Sequence, residues 1–288
     1  MFRTSLVRLP AFLLAVGLGF TAAVLMLQPL PLAGASRHDE NPQERNLDAI
    51  LFAQSSAEYH ACCLQAYNLA RDRLEALLAA SRPEKPAVIL DLDETIFDNT
   101  RFQTFLYRES VPYADRLWEI FERDHGDEVD LLPGAKSFLQ LCRQHQVKAV
   151  LISNRSAQHE ATARAICARH GLDLEGLEFM LRTDTGDKTS RRKAVEERYQ
   201  VLLVLGDNLR DFDETFRVPR ADQDRLDDLT VFARVQAERK QKVEDAGARF
   251  GRDWIIFPNP IYGEWGKLVE KNPAGKLRPS AMKRPADR

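Results

Sequence analysis

Five short apolar runs recur along the chain at spacings too wide for hairpins: residues 87–90, 147–152 (broken only by Lys148), 177–181, 201–205 and 254–257. Runs that are apolar on both faces suit strands of a parallel sheet covered on both sides. Of the five, 177–181 is the weakest. Residues 134–144, 156–170 and 188–199 carry helical spacing between them, with Gly171 as a stop. This alternation predicts a doubly wound α/β sheet. Ahead of it, Tyr59, Cys63, Tyr67, Ala70, Leu74 and Leu78 recur at three- and four-residue steps. They predict an amphipathic helix over 56–80, capped by Ser55 or Ser56. Residues 99–131 interrupt the alternation and carry Phe102, Phe105, Tyr107, Tyr113, Trp118 and Phe121. They are expected to form a small helical cap inserted after the first strand. No internal repeat is present.

The ends of the chain differ from its middle. Arg3 and Arg8 precede an apolar run from Ala11 to Leu27, and Ala33-Gly34-Ala35 follows. That order reads as a secretory signal over residues 1–35 with cleavage after Ala35; an uncleaved anchor is the alternative, because the run nearly spans a bilayer. A linker is expected over 36–55, one globular domain over 56–270, and a disordered basic tail over 271–288. The location read from this order is periplasmic or secreted, with membrane contact only through the N-terminal segment if it stays attached.

Composition narrows the classes. In 288 residues there are 41 basic and 43 acidic side chains, a net charge of −2 with no field to draw in a nucleic-acid polymer. Cys62, Cys63, Cys142 and Cys167 show neither C-x-x-C nor zinc spacing. They read as buried helix thiols, with a Cys142–Cys167 bridge left open. His125, His145, His159 and His170 follow no metal-ligand spacing and are expected on solvated faces or loops.

The chemistry lies where the apolar runs end. The first leads into Asp91 and Asp93, the second into Ser153-Asn154-Arg155, and the fourth into Gly206-Asp207-Asn208-Leu209-Arg210-Asp211. In open parallel sheets the ligand sits beyond the carboxyl ends of the strands, so these groups should converge on one crevice. Four carboxylates in a small volume raise one another's pKa unless a cation intervenes. A hard divalent ion such as Mg²⁺ answers that problem and shares its shell with substrate phosphate. Lys188 adds a charge suited to phosphate, although Lys193 lies close by. Ser153 adds a hydroxyl, and loop N–H groups, Asn154's included, can bind phosphate oxygens. The set is built for phosphoryl transfer. Asp91 would attack phosphorus; Asp93 would protonate the leaving oxygen and then activate water. Thr95 would fix the turn through its hydroxyl, and Glu94 would shape it without doing chemistry.

These residues resemble the haloacid dehalogenase (HAD) superfamily and, more narrowly, the class C acid phosphatases, bacterial 5′-nucleotidases of subfamily IIIB named after an outer-membrane lipoprotein. The similarity runs from Leu47 to Gly266. It is carried by Asp91-Leu92-Asp93-Glu94-Thr95-Ile96-Phe97-Asp98-Asn99, Ile152-Ser153-Asn154-Arg155, Asp187-Lys188-Thr189-Ser190-Arg191, Gly206-Asp207-Asn208-Leu209-Arg210-Asp211-Phe212 and Pro258-Asn259-Pro260-Ile261-Tyr262-Gly263-Glu264-Trp265. It implies a three-layer α/β/α fold. It also implies Mg²⁺ on the Asp91 carboxylate, the Asp93 backbone carbonyl and the Asp207 carboxylate, with Asp211 behind them and phosphate on Ser153 and Lys188. Phe102 and Tyr262 stand where the family places rings around the substrate, and Trp265 is expected in the core. The lipid-attachment cysteine of the family is missing here. The function expected is a phosphomonoesterase, 5′-nucleotides favoured. A broad-specificity phosphatase or phosphotransferase and a non-catalytic storage member are the alternatives. A homodimer is left open.

Overall fold

The computed structural model describes residues 41–81 and 83–280. The expected signal or anchor at 1–35 and the last part of the expected tail, 281–288, lie outside those residues. In chain order the elements are α1 (Leu47–Ser55), α2 (Ala57–Ser81), β1 (Pro86–Leu90), β2 (Phe97–Asp98), α3 (Thr100–Arg108), α4 (Asp115–Asp124), β3 (Asp130–Leu131), α5 (Ala135–Gln144), β4 (Lys148–Ser156), α6 (Glu160–Arg169), β5 (Leu177–Arg182), α7 (Thr189–Glu196), β6 (Gln200–Gly206), α8 (Leu209–Phe212), α9 (Arg220–Gln223), α10 (Leu229–Asp245), β7 (Trp254–Ile256) and α11 (Glu264–Val269).

All five expected strands form, in the order β5-β4-β1-β6-β7, and every pairing is parallel. Side chains of a strand alternate between faces, and β1 uses both. Val88 and Leu90 enter a core with Tyr67, Ala70 and Leu74 of α2, Phe138 of α5 and Ile166 of α6. Ala87 and Ile89 enter a second core with Val195 of α7, Phe212 of α8 and Trp254. Each such buried aliphatic side chain contributes about 1.5–3 kcal/mol, so the central strand is anchored from two sides. The result is the expected three-layer α/β/α arrangement.

The cap segment is bracketed by a two-stranded antiparallel ribbon in which Phe97 faces Leu131 and Asp98 faces Asp130. Helices α3 and α4 lie between the ribbon strands in sequence. The N-cap of α2 is Ser56, whose Oγ accepts the Tyr59 N–H at 3.0 Å. Gly171, with φ +70°, ends α6 as expected.

Three expectations are corrected. The linker read over 36–55 contains α1, because Ile50 and Ala53 bury themselves against Tyr59, Cys63, Leu132 and Ile261. His159 is buried rather than solvated. Cys62 is exposed, while Cys63, Cys142 and Cys167 are buried; all four are free thiols. Residues 271–280 carry one short turn, Ala274–Lys276. No helix among the described residues is long and apolar enough to cross a membrane.

Candidate active site

The site is assembled from the carboxyl ends of all five strands. At the end of β1, the Asp91 N–H donates to the Leu205 carbonyl at 3.0 Å, carrying the ladder with β6 one residue further. This pins the Asp91 backbone before the chain turns. The turn closes through Ile96 and Phe97 N–H groups, both donating to the Leu92 carbonyl at 2.8 Å. Glu94 takes a left-handed backbone at φ +53°, a strained conformation for a side-chain-bearing residue. Its Oε1 accepts the Asn99 N–H at 3.1 Å, so Glu94 does shape the turn. The Thr95 hydroxyl does not. It is buried without a partner, and the turn is held instead by the Tyr67 hydroxyl donating to the Thr95 carbonyl at 2.5 Å.

Asp93 is gripped on both oxygens. Its Oδ1 accepts from Arg155 Nε at 2.8 Å and from Asn99 Nδ2 at 2.9 Å, and its Oδ2 accepts from Ser153 Oγ at 3.2 Å. Arg155 also donates to Asn99 Oδ1 at 2.7 Å and lies 5.1 Å and 5.2 Å from the centroids of Phe97 and Trp118. Ser153 is fully buried at the end of β4. Asn154 is exposed, and its carboxamide turns away to the β5–α7 loop, donating to the Gly186 carbonyl at 3.1 Å and accepting from Arg191 at 2.7 Å. The side chain therefore braces a loop, and the backbone N–H, the group expected to meet phosphate, is what remains for an anion.

That loop delivers Lys188. The ammonium is buried and donates to Asp91 Oδ1 at 2.5 Å and Asp211 Oδ1 at 2.7 Å. Lys193, the sequence's competing choice, is exposed. After β6, Asn208 and Asp211 form a reciprocal cap on α8, with Asp211 Oδ2 accepting the Asn208 N–H at 2.9 Å. Gly206 is required here, because a Cβ would lie 2.4 Å from Asp211 Oδ2. After β7, Asn259 donates to Asp207 Oδ2 at 2.8 Å, and its own Oδ1 accepts from the Ile261 and Tyr262 N–H groups.

Carboxylate oxygens of Asp91, Asp207 and Asp211 approach within 4.8 Å of one another. Burial pushes the Asp91 carboxyl up to about 7, with Asp211 and Asp93 reinforcing the rise and Lys188 opposing it. Burial, then Asp211 and Asp91, hold Asp207 well above the usual carboxylate range. Burial pulls the Lys188 ammonium down, but Asp211 and Asp91 outweigh it and keep it charged. One ammonium does not neutralise three carboxylates. No described residue donates to Asp91 Oδ2 or Asp207 Oδ1, whereas both Asp211 oxygens are taken by Lys188 and Asn208. A hard divalent cation fits this donor set, with Asp91 and Asp207 as its carboxylate ligands and Asp211 behind them.

Two expected ring positions move in opposite directions. Phe102 is 2% exposed and packs among Trp118 and Phe121 at centroid distances of 5.2 Å and 5.0 Å. It packs as a core residue of the cap, with almost no surface left to offer a substrate. Trp265, expected in the core, is 42% exposed and donates its indole N–H to the carbonyls of Asn259 and Tyr262. Tyr262 is half-buried beside Ile261.

Comparison with known proteins bears on the whole constellation. Residues 35–265 match the family described as HAD superfamily, subfamily IIIB (Acid phosphatase). The chain belongs to that family. It is similar to the class C acid phosphatase of Bacillus anthracis in two solved structures. In one, with tungstate bound, the identity is 31% and the TM-score 0.66, over 79% of this chain and 90% of that one. In the other the identity is 30% and the TM-score 0.67, over 82% and 94%. A class C acid phosphatase is a phosphomonoesterase acting on small phosphate esters, and phosphatases of the HAD superfamily generally use a divalent metal ion. The acid phosphatase site also contains residues that sequence reasoning passed over. Arg155 and Asn99 close the second and first motifs, and Asn259 sits in the Pro-Asn-Pro signature. Their place inside motifs was the available signal; their partners are distant in sequence.

Proposed function

We propose that this acid phosphatase hydrolyses phosphomonoesters through an aspartyl-phosphate on Asp91, with Mg²⁺ as its ion and 5′-nucleotides as its preferred substrates. The observation that carries the reading is Asp91 itself. One of its oxygens is fixed by Lys188 at 2.5 Å, and the other faces the crevice without a donor.

The Asp91 carboxylate attacks phosphorus as the bond to the leaving oxygen breaks, and Asp93 gives that oxygen its proton. Water then attacks the phosphorus of the aspartyl-phosphate. Asp93 takes a proton from the water, and the Asp91–phosphorus bond breaks to free phosphate. Ser153 Oγ, swinging its one hydrogen from Asp93 to the substrate, and the third N–H of Lys188 hold phosphoryl oxygens, with the Asn154 backbone beside them. Asp91, Asp207 and the Asp93 carbonyl would hold Mg²⁺, which would supply charge neutralisation and polarise the phosphoryl oxygens. Asp211 keeps Lys188 and the α8 cap in place. The tungstate held by the Bacillus anthracis relative is a tetrahedral oxyanion like phosphate, which supports an anion seat of this kind. For the base, Tyr262 is linked through Asn259 to Asp207, so a ring stacked there would be keyed to the reacting phosphate. The basic, apolar and small-residue order of the N-terminus supports a periplasmic or secreted location.

The withdrawal of Phe102 into the core favours a second reading, broad specificity without nucleotide preference, because it leaves Tyr262 as the one assigned ring. Two measurements decide. Phosphate release from p-nitrophenyl phosphate should vanish in EDTA, return with Mg²⁺ and be abolished by Asp91→Asn; turnover unaffected by EDTA, or retained in Asp91→Asn, overturns the metal or the covalent step. A panel of 5′-nucleotides against sugar phosphates, compared by kcat/KM, should favour nucleotides. Equal values select the second reading.

A further inference from the structure

One charged cluster beside the site has no role in the chemistry above. Arg210 lies on α8 between Asp207 and Asp211. Its Nε donates to Glu214 Oε2 at 2.8 Å and its terminal nitrogen to Oε1 at 3.1 Å, a bidentate pair. The two side chains are only 15% and 13% exposed. Glu214 Oε1 in turn accepts the Lys188 backbone N–H at 3.2 Å. Arg210 also reaches the Gly186 carbonyl at 3.5 Å and Glu264 Oε2 at 3.4 Å. A single guanidinium therefore ties together the loop that follows β5, the turn that follows β6 and the start of α11.

Lys188 makes the arrangement consequential. Its ammonium stands at the end of a flexible four-carbon arm, yet it must meet Asp91, Asp211 and a substrate oxygen at once. Its backbone is at the N-cap of α7, where the N–H has no acceptor inside the helix. Among the described residues, Glu214 supplies that acceptor. Glu214 is oriented by the rigid fork of Arg210, which a lysine could not reproduce with its single charged point.

We propose that Arg210 and Glu214 are positioning residues for Lys188: the pair sets where the ammonium stands against the substrate phosphate. This rests on the phosphate-holding role given to Lys188 above. The pair touches neither the leaving group nor the oxygens assigned to the metal. Its loss should therefore weaken phosphate recognition alike for every ester and leave Mg²⁺ activation in place.

The test uses the full chain and four variants: Arg210→Met, Arg210→Lys, Glu214→Gln and Lys188→Met, the last also combined with Arg210→Met. Inhibition by inorganic phosphate, kcat and KM for p-nitrophenyl phosphate, the Mg²⁺ activation midpoint and Tm are measured for each. Arg210→Met should raise KM and the phosphate inhibition constant together by about tenfold, the scale of one misdirected charged hydrogen bond. The Mg²⁺ midpoint should not move. Arg210→Lys should recover little, while Glu214→Gln, which keeps the acceptor for Lys188 N–H, should fall between. In the Lys188→Met background, adding Arg210→Met should change phosphate inhibition by less than about twofold. If Arg210→Met does not fold, Arg210→Lys and Glu214→Gln carry the comparison. Phosphate inhibition within twofold of wild type in the Arg210 variants, beside a weakened Lys188→Met, overturns the positioning role alone. An undiminished Arg210 effect in the Lys188→Met background does the same. A Lys188→Met protein that binds phosphate as wild type does overturns the role of Lys188 and this inference with it.

Discussion

Replacing Arg155 with methionine removes a guanidinium that is 1% exposed and leaves the Asp93 carboxylate with Asn99 and Ser153 as its donors. Removing one partner of a buried ion pair costs about 3–5 kcal/mol, because the other charge stays behind unneutralised. The Asp93 side chain is 17% exposed, so water relieves part of this and the lower end, about 3 kcal/mol, applies. Loss of the ring contacts on Phe97 and Trp118 adds about 1 kcal/mol, since a thioether keeps some aromatic contact. A domain of this size loses about 2–4 °C of Tm per kcal/mol, so about 4 kcal/mol in total gives a fall of about 8–16 °C. The assay is thermal unfolding of wild type, Arg155→Met, Asp93→Asn and the double variant. If the cost is an uncompensated charge, the double variant melts well above the sum of the single losses. Catalysis should respond as well. A misdirected proton donor loses part of the 10²–10⁴-fold gain of general acid catalysis, and poor alkyl leaving groups should suffer more than p-nitrophenolate. A Tm drop below about 2 °C, or strict additivity in the cycle, would refute the account of Arg155 as the clamp on Asp93.

Glu122, buried with Oε1 accepting the Ser156 N–H at 2.6 Å, has its carboxyl pushed by burial up to about 7, Arg155 opposing. The folded protein thus favours the protonated form, so its contribution is full below the ordinary value of 4.5 and is lost as pH rises through 7. Glu122→Gln should match wild-type Tm near pH 4 and exceed it at pH 8, by at most about 3 kcal/mol of stability; a variant that is less stable at pH 8 sinks the argument. Phe102→Ala should cost about 3–5 kcal/mol as a core cavity and leave KM unchanged at permissive temperature. Tyr262→Ala should instead raise KM for 5′-nucleotides by about tenfold or more, the worth of one stacked base, with Tm little changed. Gly206→Ala should displace Asp211 and raise the Mg²⁺ needed for half-activation; an unchanged requirement would count against the packing of Asp211 on the β6 end.

The sheet and its reactive edge were legible because each strand is apolar on both faces and stops at a polar residue. Asp91, Asp93, Ser153, Lys188, Asp207 and Asp211 all converge as their strand ends required. Residue type alone could not separate a stacking ring from a packing one. Phe102 is core because Trp118 and Phe121, on a different helix, close over it. The place of the Asn154 carboxamide was hidden for a similar reason: its partners, Gly186 and Arg191, are more than thirty residues away. Arg155 meets Asp93 across 62 residues and Asn259 meets Asp207 across 52, and periodicity carries no information at such range. The α1 helix buries only Ile50 and Ala53, too little to stand out from a polar stretch. The Thr95 hydroxyl was given a bond that the Tyr67 phenol makes from outside the turn.

The sheet order β5-β4-β1-β6-β7 has a consequence for how the enzyme comes into being. Asp91, the nucleophile proposed above, directly follows β1, but the other two members of its carboxylate cluster, Asp207 and Asp211, follow β6, which ends at Gly206. During synthesis, β1 must wait for both of its neighbours: β4 is made nearly sixty residues later and β6 more than a hundred. A nascent chain that has completed β5 but not β6 therefore exposes a half-sheet with an unpaired central edge and an incomplete carboxylate cluster. Such non-local pairing is slow and invites aggregation. On the proposed role of Mg²⁺, the added ion would stabilise the finished fold by mass action but would give nothing to a chain arrested before β6. Truncation products ending before Gly206 should accordingly be insoluble as well as inactive, and indifferent to Mg²⁺ in the medium.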